Sequence, residues 1–273
     1  MFKKVFDLKY IIFMCVGSVL IGTSPIFVRL SDLGPMATGF YRMLLALPLL
    51  GLWMKWERKS NLVHNKLQGN DFVILVFAGA LFALDLGLWN WSVDHTTIVN
   101  STLFNNTAAF FVPLIMWVFF QKTPSFRFIL ATSVGFIGCI LLIGQSISLS
   151  YENLLGDVIA LSSGLMVALY LISLKYIRER ISTGFLMFWT GFFSFIFLSL
   201  FVYLSGESLG PFTFQDAISI AGQAVLVHTI GQSLLAISLG KISSSYAALI
   251  LFLAPVNAAV LGWLIYSEAL GIM

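Results

Sequence analysis

The chain has 273 residues, of which 59% are hydrophobic and only 10% are charged. A soluble protein averages about 25% charged residues, so this chain cannot cover an ordinary core with a polar surface. The composition excludes soluble enzymes, disordered proteins and nucleic-acid-binding modules, and it indicates that lipid surrounds most of the chain.

Nine apolar runs are long enough to cross a membrane, which takes about 20 residues. In chain order they cover about 10–29, 35–54, 72–93, 98–120, 126–145, 154–174, 183–204, 217–239 and 243–266. The segments between them are rich in Pro, Gly, Ser, Asn or charge, and none is long enough for a soluble domain. The sequence therefore predicts an all-α polytopic membrane protein.

The positions of the fifteen Lys and Arg residues predict how the chain is oriented. With a cytoplasmic N-terminus, thirteen of them fall at cytoplasmic ends and connections, Arg29 falls outside, and Arg42 lies within a helix. This distribution satisfies the positive-inside rule. The net charge of +3 therefore reflects the orientation of the chain in the membrane, and it does not indicate a nucleic-acid partner.

A weak internal repeat appears when the chain is shifted by about 146 residues, which aligns Leu103 with Leu249 and Ala109 with Pro255. Five spans are an odd number, so the second copy would be inverted in the membrane. We therefore predict two inverted five-helix repeats, covering 1–146 and 147–273. Such repeats are typical of transporters whose substrate site lies near the membrane midplane.

The second repeat is one span short of the first. A full copy predicts a tenth helix starting near residue 270, but the sequence stops at Met273. We therefore expect nine helices and a C-terminus on the outer side. A trimmed ten-helix chain, a truncated remnant and a short form that acts as a homodimer are all consistent with this count.

Several motifs in both halves point to one family. They are Gly39-Phe-Tyr-Arg42, Asp85-Leu-Gly-Leu-Trp-Asn-Trp-Ser92, Ile98-Val-Asn-Ser-Thr-Leu-Phe-Asn-Asn-Thr-Ala-Ala109, Gly231-Gln-Ser-Leu-Leu-Ala236, Ala254-Pro255 and Gly262-Trp-Leu-Ile-Tyr-Ser-Glu-Ala-Leu-Gly271. Together they resemble the EamA family of the drug/metabolite transporter superfamily over nearly the whole chain. The resemblance implies a ten-helix, inverted-repeat transporter, but it does not imply a substrate.

The chain also departs from the family pattern in its fourth run. The proline that the family usually carries near Ala109 stands one turn later, as Pro113. The acidic residue usual after this helix is replaced by Gln121-Lys122, although Glu268 is kept after the ninth run.

Four polar residues are predicted at one depth, roughly 10–12 Å below the outer surface at 1.5 Å per helical residue. They are Arg42, Asp85, Asn105 and Asn106. Charged residues within a membrane are functional candidates by default. A bidentate Arg42–Asp85 ion pair could lock two helices together, or the two charges could handle substrate or a proton.

Neutral polar residues in the later helices form a second group of candidates. His228 is interpreted either as a hydrogen-bonded packing residue or as a proton site that lines a cavity. Four other residues are suited to hydrogen bonding with a polar or zwitterionic metabolite, namely Tyr170, Gln232, Tyr246 and Asn257.

Aromatic and proline residues complete the candidate set. Trp89 and Trp91 flank Asn90 and form either an interfacial aromatic belt or a stacking wall for a substrate. Pro25 and Pro255 remove backbone hydrogen bonds within helices, so they are either fixed bends or gating hinges.

The sequence has no P-loop, HExxH, GxSxG or Cys/His cluster, so it predicts no ATP-driven motor, enzyme activity, metal site or cofactor. The resulting hypothesis is a secondary transporter of small polar metabolites, such as amino acids, that exports them across a bacterial inner membrane. The alternatives are an inactive or dimer-dependent remnant and, less favoured, a membrane enzyme.

Overall fold

The computed structural model describes residues 8–59, 67–96, 98–143, 154–178, 180–210 and 212–266. Within these ranges the chain forms nine helical stretches and no strand. They are α1 (Leu8–Leu30), α2 (Pro35–Lys59), α3 (Asp71–His95), α4 (Ile98–Asn105 and Ala108–Phe120), α5 (Phe126–Ile143), α6 (Leu154–Arg178), α7 (Thr183–Ser205), α8 (Phe214–Leu239) and α9 (Ser244–Tyr266). Glu268 and the expected position of the C-terminus lie outside the described residues.

Eight of these helices are long and apolar enough to span a membrane, and the apolar part of α5 that the structure describes, Phe126–Gly138, is shorter. The prediction of an all-α polytopic membrane protein is confirmed. The predicted runs agree with the observed helices except at their polar ends. α2 and α3 continue to Lys59 and His95, because charged side chains at helix ends can extend into the headgroup region.

Three helices are interrupted near their middle. α1 breaks at Gly22–Thr23 just before Pro25, α4 breaks at Asn106–Thr107, and α9 breaks at Leu251–Phe252 before Pro255. The middle of α8, Gln223–Gln232, is wound as a π-helix, whose wider turns leave ordinary i→i+4 bonds unmade. Irregular backbone at membrane depth is tolerated where it lines a cavity or is buried in protein.

The first helix of each half packs against the other half. α1 lies against α8 and α9, whereas α6 lies against α3 and α4, and the long α2 and α7 pack along each other between these two groups. We call α1, α8 and α9 the first bundle, and α3, α4 and α6 the second bundle. The core side chains that join them are buried apolar residues and small residues that allow close approach.

Connections that the charge pattern assigns to one side of the membrane do contact each other. On the side carrying Lys55, Lys122 and Lys241, which we call the basic face, the Glu57 carboxylate accepts a hydrogen bond of 2.7 Å from the backbone N–H of Gly184. It thereby ties the end of α2 to the start of α7.

A second carboxylate joins the halves at the basic face. Arg180, in the connection between α6 and α7, forms an ion pair of 2.5 Å with Asp71 at the start of α3. The carboxylate also accepts a hydrogen bond of 2.8 Å from the backbone N–H of Gln68, one turn before the helix.

The opposite face carries a matching pair of contacts. Glu207, after α7, accepts hydrogen bonds from the backbone N–H groups of Met36 (3.3 Å) and Ala37 (2.8 Å) at the start of α2. Asp216, in the first turn of α8, accepts from the Ser31 hydroxyl (2.7 Å) and the Asp32 N–H (2.9 Å). α2 and α7 therefore cap each other's N-termini, one at each face.

Candidate functional site

A central cavity lies where the interrupted helices meet. Its lining comes from both bundles and from Arg42 on α2. The break points of α1, α4 and α9 and the end of the π-helical segment all contribute, through Gly22, Pro25, Asn105, Asn106, Gln232, Leu251 and Ala254. The cavity is therefore built from the least regular backbone in the structure.

Asp85 on α3 is the carboxylate of this cavity. Its Oδ1 accepts hydrogen bonds from Asn105 Nδ2 at 2.9 Å and from the Ser163 hydroxyl at 2.7 Å, which brings together α3, α4 and α6. Asn105 Nδ2 also approaches the Ser163 oxygen at 2.5 Å. The other oxygen, Oδ2, has no hydrogen-bond partner among the described residues, so half of the carboxylate remains available to a ligand.

Arg42 does not form the ion pair with Asp85 that the sequence allows, since no nitrogen–oxygen distance between the two side chains is within the 4.0 Å range of a salt bridge. Its Nη1 instead lies 3.5 Å from Gln223 Oε1 on α8. Its Nε is buried and has no hydrogen-bond partner among the described residues. Arg42 as a whole is only 3% exposed. Within the described part of the chain, a guanidinium and a carboxylate thus line the same cavity unpaired, which leaves both charges free to meet opposite charges on a solute.

Aromatic rings form one wall of the site around Phe82. This ring stacks on Tyr170 with centroids 4.8 Å apart and lies 5.2 Å from the His228 ring. The Arg42 guanidinium carbon lies 5.9 Å from the same ring, within cation–π range. His228 is not among the residues that line the cavity. Neither of its ring nitrogens has a hydrogen-bond partner among the described residues.

Several buried polar atoms in the lining lack a protein partner among the residues that the structure describes. They are the Tyr170 hydroxyl, Gln232 Oε1, Arg42 Nε and the Ser24 hydroxyl. A buried polar group without a hydrogen bond costs about 1–3 kcal/mol. All four atoms belong to residues that line the one cavity.

The structure thus brings together most of the sequence-predicted site residues. Those that line the cavity are Pro25, Arg42, Asp85, Trp89, Asn105, Asn106, Tyr170 and Gln232. Asn106 Nδ2 also closes the end of the first part of α4 by donating to the Thr102 carbonyl at 2.8 Å.

Three other predicted site residues contact protein elsewhere. Asn90 donates to the Pro35 carbonyl at 2.7 Å and joins α3 to α2. Asn257 donates to the Val19 carbonyl at 2.9 Å and joins α9 to α1. Tyr246 lies near the basic face, 42% exposed, with its ring edge-on to Phe128. Periodicity within one helix could not predict these partners, because each belongs to another helix.

Pro255 is also outside the cavity lining, although the α9 break that it follows is at the cavity. A Cβ atom built on Gly22 would lie 2.5 Å from the Ala254 carbonyl oxygen, so the breaks of α1 and α9 are in backbone contact. Likewise, a Cβ on Gly164 of α6 would lie 2.8 Å from the Asn105 carbonyl oxygen at the α4 break. The α9 break therefore packs on a glycine of α1, and the α4 break packs on a glycine of α6.

The sequence analysis missed Phe82, Ser163 and Gln223. Gln223 could have been found, because it is a polar residue inside an apolar helix, as the chosen candidates are. Phe82 and Ser163 carry no such signal, since Phe and Ser are ordinary membrane-helix residues. Among the described residues, no group of three or more His, Cys, Asp or Glu is placed to hold a metal ion.

Comparison with known proteins agrees with this architecture. The sequence profile of the EamA-like transporter family matches residues 8–144 and 154–273. A protein of Archaeoglobus fulgidus described as an uncharacterized transporter is 26% identical over 260 residues, which cover 89% of this chain and 84% of that protein. A crystal structure at 13% sequence identity has a TM-score of 0.75, and the match covers 95% of this chain and 89% of that one. This chain is a multi-pass membrane transporter and belongs to the EamA-like transporter family.

Proposed function

We propose that this transporter is a secondary exporter of small polar metabolites, of which zwitterionic amino acids or related compounds fit best, in the inner membrane of a bacterium. The observation that carries the proposal is the central cavity, which holds one unpaired guanidinium and one half-free carboxylate. Arg42 would attract a substrate carboxylate, and Asp85 would attract a substrate ammonium group. Tyr170, Gln232 and the asparagines of α4 would supply neutral hydrogen bonds.

The aromatic wall supports a substrate with an apolar side chain. The aromatic residues Phe82, Tyr170 and Trp89 line the cavity with the two charges, and apolar residues such as Leu86 and Leu235 complete the lining. A mostly apolar pocket with a few convergent polar groups is the usual form of a small-molecule site. We therefore expect amino acids with larger apolar side chains to be preferred over glycine.

The transport mechanism we propose is alternating access around this cavity. The residues between the cavity and the basic face, including Leu174, Ile177 and Leu239, are fully or almost fully buried, so packing closes the cavity toward that face. The interlocked packing suggests that the first bundle moves against the second bundle, rather than one sequence half against the other. The two repeats are proposed to be 1–146 and 147–273, and the contacts at opposite faces support an inverted relation between them.

Flux measurements in proteoliposomes test the function. Purified protein would be reconstituted, and counterflow of radiolabelled solutes measured over amino acids, nucleosides, sugars and organic cations. We expect saturable flux of amino acids that rises with a proton gradient. Absence of flux for every solute, in protein that stays folded by size-exclusion chromatography, would overturn the proposal.

The direction and the assembly need separate measurements. In everted membrane vesicles the basic face is turned to the external medium. If the protein is an exporter, these vesicles should take up the substrate, whereas right-side-out vesicles should not. Chemical crosslinking of the same preparation would show whether the active species is a monomer or a homodimer.

A further inference from the structure

A second pocket lies at the basic face, away from the central cavity. Its walls come from the end of α4, the connection 121–125, the start of α5, the end of α6 and the start of α9. We call it the basic-face pocket. The residues that carry the argument are Met116, Lys122, Ser125, Phe128, Lys175 and Ser243.

The polar part of this pocket is rich in hydrogen-bond donors. Two lysines line it, together with several hydroxyl residues, and its lining contains no Asp or Glu among the described residues. Ser125 and Ser243 each accept a bond from a backbone N–H through the side-chain oxygen, at 3.2 and 3.3 Å. Their hydroxyl protons have no acceptor within the described part of the chain. The pocket therefore offers positive charge and hydroxyl donors, a combination that suits an anion.

The start of α5 adds to this preference. This helix of 18 residues begins at Phe126, directly after Ser125, so its N-terminal end opens at the pocket. The N-terminal end of a helix carries a partial positive charge and free N–H groups. Only negative ligands gain from it.

The other part of the pocket is apolar. Met116 and Phe128 form the wall that continues along α4 and α5, where Phe119 and Phe126 are 75% and 78% exposed. α4 ends at Phe120 and α5 begins at Phe126, so the pocket lies at the boundary between the membrane and water. A ligand here would meet cations at one end and an apolar surface at the other.

We propose that the basic-face pocket binds the phosphate headgroup of an anionic phospholipid, with Lys122 and Lys175 pairing with the phosphate and the acyl chains lying along α4 and α5. Basic pockets between membrane helices on the cytoplasmic side are suited to such headgroups. The amphipathic lining favours a lipid over free phosphate, because free phosphate has nothing to place against Met116 and Phe128. This site does not depend on the identity of the transported solute.

Native mass spectrometry of the purified protein, titrated with phosphatidylglycerol or phosphatidylcholine, tests the proposal. We expect the wild type to bind phosphatidylglycerol more tightly, and Lys122→Gln and Lys175→Gln each to weaken that binding about fivefold. Lys55→Gln, on the same face but outside the pocket, is the matched control and should keep wild-type binding. Ser245→Glu, which places a negative charge in the pocket lining, should also lose the preference.

Three results would overturn the proposal. The first is that the wild type binds the two lipids equally well. The second is that Lys122→Gln and Lys175→Gln weaken phosphatidylglycerol binding no more than Lys55→Gln does. The third is thermal stabilisation by inorganic phosphate alone that matches stabilisation by phosphatidylglycerol, which would assign the pocket to a free phosphate. Size-exclusion profiles of all variants establish that they fold.

Discussion

At the scale of single residues, the chemistry of the central cavity rests on two charges that do not neutralise each other. Asp85 is held by Asn105 and Ser163 through one oxygen only, and Arg42 touches Gln223 at the long distance of 3.5 Å. Isolated charges in a membrane are costly, so their retention favours a functional role. A locked structural ion pair, which the sequence left open, is not what the structure shows.

Asp85→Asn is predicted to reduce transport by about tenfold or more, because hydrogen bonds to a charged group contribute about 1.5–3 kcal/mol. The amide keeps the size of the side chain but loses the charge that attracts an ammonium group or a proton. The measurement is proteoliposome flux with and without a pH gradient. Ser163→Ala, which removes one bond to the same oxygen and leaves the charge, should lose less. Unchanged pH-driven flux in Asp85→Asn would remove this residue from the mechanism.

His228→Phe is predicted to preserve both flux and its pH dependence. The contact that the structure gives His228 is ring packing on Phe82, and a phenyl ring can maintain it. His228→Ala should reduce thermal stability, since it removes a buried ring. A loss of pH dependence in His228→Phe, with stability intact, would instead make this residue a proton site.

At the scale of helices, the breaks in α1, α4 and α9 are sites of close backbone approach between neighbouring helices. The α4 break packs on Gly164, and the α9 break packs on Gly22. Because interrupted helices line the cavity, the glycines that admit them also determine its shape.

Gly164→Ala is predicted to destabilise the protein by about 1–3 kcal/mol, because the added methyl group would overlap the carbonyl oxygens of Phe104 and Asn105. Gly138→Ala on α5 is the matched control, since a Cβ there meets nothing within 4 Å. An ordinary glycine-to-alanine change within a helix stabilises it by about 0.5–1 kcal/mol. Thermal unfolding in detergent should therefore shift in opposite directions for the two variants, and parallel shifts would contradict the contact.

Glu207→Ala is predicted to cost about 0.5–2 kcal/mol, as the loss of a helix cap does, because the N–H groups of Met36 and Ala37 lose their acceptor. Asp94→Ala is a suitable comparison. It removes an exposed acidic residue without a hydrogen-bond partner among the described residues, and it should be near neutral. Equal melting temperatures for the two variants would show that the Glu207 cap contributes nothing.

At the scale of the whole molecule, the interlocked bundles determine which contacts must open during transport. At the basic face, Arg178 of α6 donates to the Ala236 carbonyl of α8 at 3.2 Å and joins the second bundle to the first. Within the first bundle, Gly17 of α1 lies against Leu234 of α8. If the bundles move against each other, the contact between Arg178 and Ala236 must break during transport. The contact between Gly17 and Leu234 can persist, because both residues belong to the first bundle.

A disulfide between Arg178→Cys and Gly240→Cys is therefore predicted to stop transport, and a reductant should restore it. The Cγ of Arg178 is 3.5 Å from a Cβ built on Gly240, so the two positions are close enough to crosslink. Each single-cysteine variant alone, Arg178→Cys or Gly240→Cys, in the same background without native cysteines, should keep transport. Transport through the crosslinked Arg178/Gly240 pair would contradict the proposed movement.

The amino-acid sequence alone is sufficient to predict the membrane fold, the order of the helices and most of the polar residues that line the cavity. The reason is that burying charge in lipid is so costly that hydropathy and the positions of Lys and Arg leave few alternative topologies. The same cost singles out Arg42 and Asp85, because they are charges placed well inside apolar runs.

Only the tertiary structure decided which of these residues meet. The partners of Asp85, the separation of Arg42 from it, and the ring contact of His228 with Phe82 depend on how α2, α3, α4, α6 and α8 pack. Asn90, Tyr246 and Asn257 were sensible candidates within their own helices, yet each contacts a residue of another helix. Depth in the membrane can be read along one helix, but the direction in which a side chain meets its neighbours depends on how all the helices pack together.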